Sequence, residues 1–180
     1  MSKLKPIISS FEIDELNVIK ANAEDMFDDI SKASEIIDAK ANNYFGILIL
    51  IIVSSIGYIV NKFEKLDFTD LILHEAVILI VTSVISLREI HKMLLPRDYR
   101  LKGTQPEFHI NYDNYGKDRL KDILKDSITT LQFNIDNNLE IQKERVERLK
   151  SAIDSIVNGI TIAVLYMIGY SAINFLFSAL

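Results

Sequence analysis

The chain divides by pattern into three uncharged apolar runs and the charged, periodic stretches that lead into them. The first run, ANNYFGILILIIVSSIGYIVN, holds 21 uncharged residues from Ala41 to Asn61. A helix rises ~1.5 Å per residue and about 20 apolar residues cross the hydrocarbon layer, so this run meets the required length. The third, SIVNGITIAVLYMIGYSAINFLFSAL, carries no acidic or basic side chain over its 26 residues from Ser155 to Leu180. The second, from Leu71 to Leu87, is the weakest: His74 and Glu75 sit on its first turn, and only the 12 residues from Ala76 to Leu87 are free of charge. Polar groups at a helix end can reach the interface, and the first run needs a return leg after the short 61–70 connection. Leu71 to Leu87 is therefore read as a span with interfacial anchors.

Two amphipathic stretches precede the outer runs. Ser9 and Glu12 have capping-box spacing, and apolar positions then recur at Leu16, Ile19, Ala23, Met26, Phe27, Ile30, Ala33 and Ile37. No breaker interrupts this helix before Asn61, so it should run straight into the first span. After a loop punctuated by Pro96, Gly103, Pro106 and Gly116, a helical stripe resumes at Leu120, Leu124, Ile128, Leu131, Ile135, Leu149 and Ile153. Between Asn134 and Gln142 the stripe turns polar, through Asn134, Asn137, Asn138 and Gln142. Each stripe is too narrow for a stable lone helix, so the two should pack on one another or on copies of themselves.

The expected class is an all-α membrane protein: three transmembrane helices whose long cytoplasmic extensions form a coiled-coil-like bundle. Its order is a cytoplasmic amphipathic helix (1–43), a first span (44–61), a short external loop (62–70), a second span (71–90), a cytoplasmic loop (91–116), a cytoplasmic helix (117–152) and a third span (153–180).

Charge orients these elements. Of the 20 Lys and Arg residues, five precede the first span, two lie in the 61–70 connection and thirteen lie between Arg88 and Lys150. Positive charge stays inside, so the N-terminus is expected in the cytoplasm and the C-terminus outside a bacterial inner membrane, in a multi-pass arrangement. No apolar stretch resembling a signal peptide precedes residue 44, which makes the first span its own insertion signal.

The net charge of −5 and the mixed signs of KERVERLK at 143–150 argue against nucleic acid and read as a solvated helix face. There is no cysteine, and His74, His91 and His109 lack ligand spacing, so no metal or thiol site is expected. Walker, GxSxG, HExxH and Rossmann patterns are missing too, and the paired acids Glu24–Asp25 and Asp28–Asp29 read as a wet helix face. An enzyme is not expected, and neither is a bound cofactor.

Small and polar residues inside the spans carry more information. Ser54, Ser55, Thr82, Ser83, Ser86, Asn158, Thr161 and Asn174 either let helices approach closely or line a polar path in an oligomer. Arg97, Tyr99, Arg100, Lys102 and Tyr112, in the loop after the second span, are candidates for an anionic ligand or for lipid headgroups.

Three segments, in order, resemble a known group. EIIDAKANNYFGILILI is similar to the entry into the first membrane helix of the Pycsar-type transmembrane effectors and, more loosely, of the SLATT proteins, small membrane effectors of bacterial antiphage systems. REIHKMLLPRDYRLKG resembles their proline-containing exit from the second span, and LQFNIDNNLEIQKERVERLKSAI the polar helix leading into the last one. Asp38, Lys40, Pro96 and Asn138 occupy the matching positions.

The resemblance implies a protein held quiet until a nucleotide second messenger, or a sensor or nucleotide-synthesising partner, makes it assemble and damage the membrane. This chain departs from the pattern in having no recognisable cyclic-nucleotide-binding domain. Either the cytoplasmic helices form a pocket or a separate protein senses. The expected function is thus a signal-triggered, oligomeric membrane effector whose partners are the bilayer and further copies of the chain. The alternatives are a scaffold that docks a soluble enzyme and an unregulated holin-like toxin.

Overall fold

A computed structural model describes residues 10–62, 70–97, 99–102 and 119–178, with side chains through 176. The described residues are all-helical and contain no strand: α1 (Ile13–Lys62), α2 (Leu71–Leu94) and α3 (Arg119–Ser178). Each helix is long and apolar enough to cross a membrane.

Local chemistry sets the helix ends. The α1 entry uses Glu12 and Glu15: the backbone N–H of Glu12 donates to the Glu15 carboxylate at 2.8 Å, half of a capping box. The expected pair involving Ser9 lies partly outside the described residues. Asp70 caps α2 from an extended backbone, its side chain accepting from the Ile72 N–H at 3.0 Å. Its other carboxylate oxygen accepts from the Tyr58 hydroxyl at 3.1 Å, which ties the end of α1 to the start of α2. α2 continues to Leu94, four residues beyond the expected limit of 90. It stops because Leu95, at φ −58° and ψ 141°, precedes Pro96, and a proline drives the residue before it out of helical geometry.

The residues fall into two compact units, one of 1–36 with 96–144 and one of 37–95 with 145–180. In the first unit the apolar stripes of α1 and α3 meet in two clusters. Leu16 packs with Leu124 and Ile128, and Phe27 and Ile30 pack with Leu131 and Ile135. Residue numbers rise together along both helices, so this pair is parallel. Two expected stripe members fall outside: Met26 and Leu120 are 45% and 56% exposed, so the buried faces are narrower than the apolar pattern.

In the second unit Ala41 and Leu48 of α1, Ile90 and Met93 of α2, and Leu149 and Ala152 of α3 form one core. Helix α2 runs antiparallel to both neighbours: Asp70 meets Tyr58 while Ile90 and Met93 pack with Ala41 and Leu48 of α1, and Ser86 meets Ala152 while Thr82 meets Gly159 of α3. Beyond this core the apolar segments bury little of themselves. Only 11% of the most apolar window of α1, and the same share of that of α3, is buried within the chain. Leu50, Val53, Val60, Leu165, Ile168 and Phe175 all face outward. Outward apolar faces on long helices are what lipid, or another apolar helix, covers.

Candidate functional site

In the first unit residues 96–97 and 99–102 lie along the helix pair as a strap, and the backbone at 100 and 101 is held by side chains. Asn138 clamps Arg100 from both sides: its amide nitrogen donates to the Arg100 carbonyl at 3.0 Å, and its amide oxygen accepts from the Arg100 N–H at 3.0 Å. One turn earlier on α3, Asn134 donates to the carbonyl of Leu101 at 3.0 Å. The described strap residues form no helix or strand, so these amides supply partners that their backbone needs. This explains the polar interruption of the stripe, because Asn134 and Asn138 are buried at positions where a leucine would leave strap carbonyls and N–H groups unpaired.

The basic and aromatic strap residues are drawn into ion pairs and contacts within the same unit. Arg97 makes a two-pronged bridge to Glu144, at 2.8 and 3.2 Å. Lys102 reaches both oxygens of Asp28, at 3.0 and 2.9 Å, and that hydrogen bond holds its ammonium pKa above the ordinary lysine value against the opposing effect of desolvation. Tyr99 accepts from the Ser34 hydroxyl at 3.1 Å, and the Arg100 guanidinium lies 5.9 Å from the centre of the Phe133 ring. An anion approaching Arg97 or Lys102 would therefore compete with a carboxylate already in place. Tyr112 lies outside the described residues. Pro96 is exposed beside the strap and ends α2, as above.

In the second unit two groups of charges lie next in sequence to residues of the apolar core. Asp38 of α1 pairs with Arg145 of α3, and Glu89 of α2 pairs with Arg148 of α3 at 3.2 Å and with Lys92 at 2.8 Å. The DAKA motif thus splits by face. Asp38 and Ala41, three apart, turn toward the other helices, and Ala41 is fully buried, while Ala39 and Lys40 are exposed.

Arg145 is 3% exposed, so KERVERLK is not a wholly solvated face as its mixed charges suggested. Burial lowers the Arg145 pKa from its usual value, yet a guanidinium stays charged. The signal for this was present in the sequence. Leu131, Ile135, Asn138, Gln142, Arg145, Leu149 and Ala152 follow one another at alternating steps of four and three, which places Arg145 on the buried stripe.

The polar residues of the apolar segments divide in the same way. Ser83 and Ser86 are fully buried; the Ser86 hydroxyl lies 2.9 Å from the Thr82 carbonyl and 2.9 Å from that of Ala152 on α3. Thr82 bonds within its own helix, to the Ile78 carbonyl at 2.9 Å. It also abuts Gly159, where an added Cβ would sit 2.4 Å from the Thr82 Oγ1. These residues bring α2 and α3 into close approach.

Asn158, Thr161 and Asn174 instead point outward. At 100° per residue Asn158 and Thr161 share a face, whereas Asn174 lies roughly 140–160° around the helix from them, so the three do not form one stripe. Ser54 is exposed and Ser55 buried, both lining an open groove between α1 and α2. At the opposite end of α2 from Glu89, His74 meets Tyr166 of α3 edge to face, with its Nδ1 2.9 Å from the Tyr166 hydroxyl. Glu75 turns one carboxylate oxygen into the protein, although the sequence pattern suggested an outward anchor.

Among the described residues no three His, Cys, Asp or Glu side chains group as a metal site. No protein-family model, curated protein or solved structure matches the chain.

Proposed function

We propose that this protein is a signal-triggered membrane effector that assembles from several copies and breaches the bacterial inner membrane. The observation that carries the reading is the outward placement of Asn158 and Thr161 on α3, within a segment whose other exposed side chains, Ile160, Ile162, Val164 and Leu165, are apolar. An amide facing hydrocarbon wants a partner, and another copy's helix can supply it. In this reading the N-terminus is cytoplasmic, the C-terminus external, and the helices ahead of the first and third spans form a coiled-coil-like bundle.

The resemblance to Pycsar-type effectors supports defence against phage as the setting, with a nucleotide messenger or a sensing partner as trigger. The strap is the natural receiver: an anion that competes with Glu144 and Asp28 for Arg97 and Lys102 would loosen it.

A scaffold that docks a soluble partner is the second reading. It is favoured by Val18, Ile36 and Phe133, large apolar side chains of the first unit that are 56–61% exposed.

Membrane-potential dye fluorescence in bacteria carrying the chain and its genomic neighbours separates the readings. Depolarisation only after infection supports the effector, and Asn158→Leu should then abolish it. Depolarisation from the chain alone favours an unregulated toxin. None under any condition leaves the scaffold.

A further inference from the structure

The outward polar face of α3 begins before Asn158. Glu147, Ser151, Asp154, Asn158 and Thr161 follow one another at alternating steps of four and three, fall within an arc of about 80°, and are all exposed. Asp154 is the last acidic or basic side chain before the uncharged run to Leu180. Contacts within the second unit fix its depth. Ser86 meets Ala152 and Thr82 abuts Gly159, which sets Asp154 level with Ile85 of α2, and the Asp38–Arg145 pair sets it level with Ile47 of α1. Ile47 and Ile85 are 52% and 50% exposed and belong to the uncharged runs, so at this level the neighbouring helices present apolar faces. Arg145 and Arg148 are engaged by Asp38 and Glu89, and among the described residues Asp154 makes no ion pair. Lys150, one turn nearer the cytoplasmic end, has a long stem that can carry its charge back to the headgroups; the short Asp154 side chain has none. A carboxylate at such a level is costly against lipid, and acidic groups inside membrane segments mark water-filled ion pathways.

We propose that the Asp154 carboxylates of neighbouring copies line the cytoplasmic mouth of the assembled path and make it pass cations in preference to anions. The inference rests on the effector reading above and names what its breach conducts. Copies related by rotation about one axis present the same residue at the same depth, so an interface on this face gathers one Asp154 from each copy. Like charges repel, and water and cations between them are what lets them gather. A dry helix contact is thereby disfavoured at this level, and a hydrated cation is the occupant that a ring of carboxylates fits. Asn158 and Thr161 continue the lining over the next two turns with uncharged oxygens. The Thr161 hydroxyl donates to the Val157 carbonyl of its own helix at 2.9 Å, which leaves its oxygen as an acceptor, again suited to a cation. Beyond Thr161 the face carries Leu165, so the choice by charge is made at the cytoplasmic end.

The test is patch clamp of giant spheroplasts from infected bacteria carrying the full chain and its genomic neighbours, under a potassium chloride gradient, with cells lacking the chain as baseline. The wild type should pass potassium over chloride by roughly tenfold, the lower end of the enrichment that a charged cleft gives its counter-ion. Asp154→Asn should bring the ratio to near parity, and Asp154→Glu should keep it. A wild-type current without this preference, or a preference unchanged in Asp154→Asn, would overturn the proposal while the effector reading stands. No current above the baseline would overturn both. If Asp154→Asn carries no current, Asp154→Cys in this cysteine-free chain allows the charge to be put back chemically. A thiol reagent bearing a sulfonate should then give a potassium preference and one bearing an ammonium a chloride preference. The same ratio with both reagents, or no current with either, would overturn the proposal.

Discussion

The two units are held by different means. In the first, a backbone strap is pinned by named polar partners: Asn138 on Arg100, Asn134 on Leu101, Glu144 on Arg97 and Asp28 on Lys102. In the second, helices meet through small side chains, with Gly159 against Thr82, Ala41 in the core and Ser86 against the Ala152 backbone, beside the two groups of charges. The difference is the one expected if water surrounds the first unit and lipid the second. Where water competes, apolar clusters supply the drive to associate and polar pairs fix the register. Where lipid surrounds the helices, leucine against leucine gains little over leucine against lipid, so close backbone approach has to supply the attraction. A strap fixed by polar partners can be released by a competing polar ligand; a contact made by close approach responds to volume.

Substitutions that change volume or pairing would break this contrast, and the largest effect is expected at the tightest contact. Gly159→Val places new atoms where Thr82 stands, and should cost about 3 kcal/mol through overpacking, seen as a lower melting temperature in micelles. Thr82→Gly in the same chain removes all three atoms that the new Cβ meets, and should recover most of the loss.

Next is the Asp38–Arg145 pair. Asp38→Leu removes a carboxylate partner of the buried Arg145 and should cost about 2 kcal/mol, less than for a fully buried pair because the Asp38 side chain is 45% exposed. Replacing Arg145 by leucine as well should return much of that stability in the same melting assay. A double variant no better than the single one would show that Arg145 has a further role.

The smallest effect is expected in the strap. Asn138→Ala removes two backbone hydrogen bonds and should cost about 1–2 kcal/mol. It should also open 96–102 to limited proteolysis without changing the response of the second unit to Gly159→Val.

Much of this was legible in the sequence because it rests on length and period. The three long helices follow from uncharged runs, and the two stripes show that α1 and α3 need a partner, though they leave open whether it is the other helix or a copy of the same one. The end of α2 follows from Pro96. What escaped was pairing between residues far apart in sequence. Asp28 and Glu144 read as wet-face acids until the strap set Lys102 and Arg97 beside them. Asn138 read as an interruption because the backbone it serves, Arg100, lies 38 residues away. Glu75 read as an interfacial anchor because only the packing of α2 against its neighbours buries one of its carboxylate oxygens.

The central claim, that copies assemble through the outward polar face of α3, has a direct test in a chain with no native cysteine. Asn158→Cys supplies a single thiol on that face, and Val164→Cys supplies one about 120° away. Oxidative crosslinking in membranes, sampled before and after infection, should yield disulfide-linked dimers through position 158 only after infection, with little linkage through 164. Equal linkage at both positions, or none at 158 while the membrane depolarises, would contradict the account.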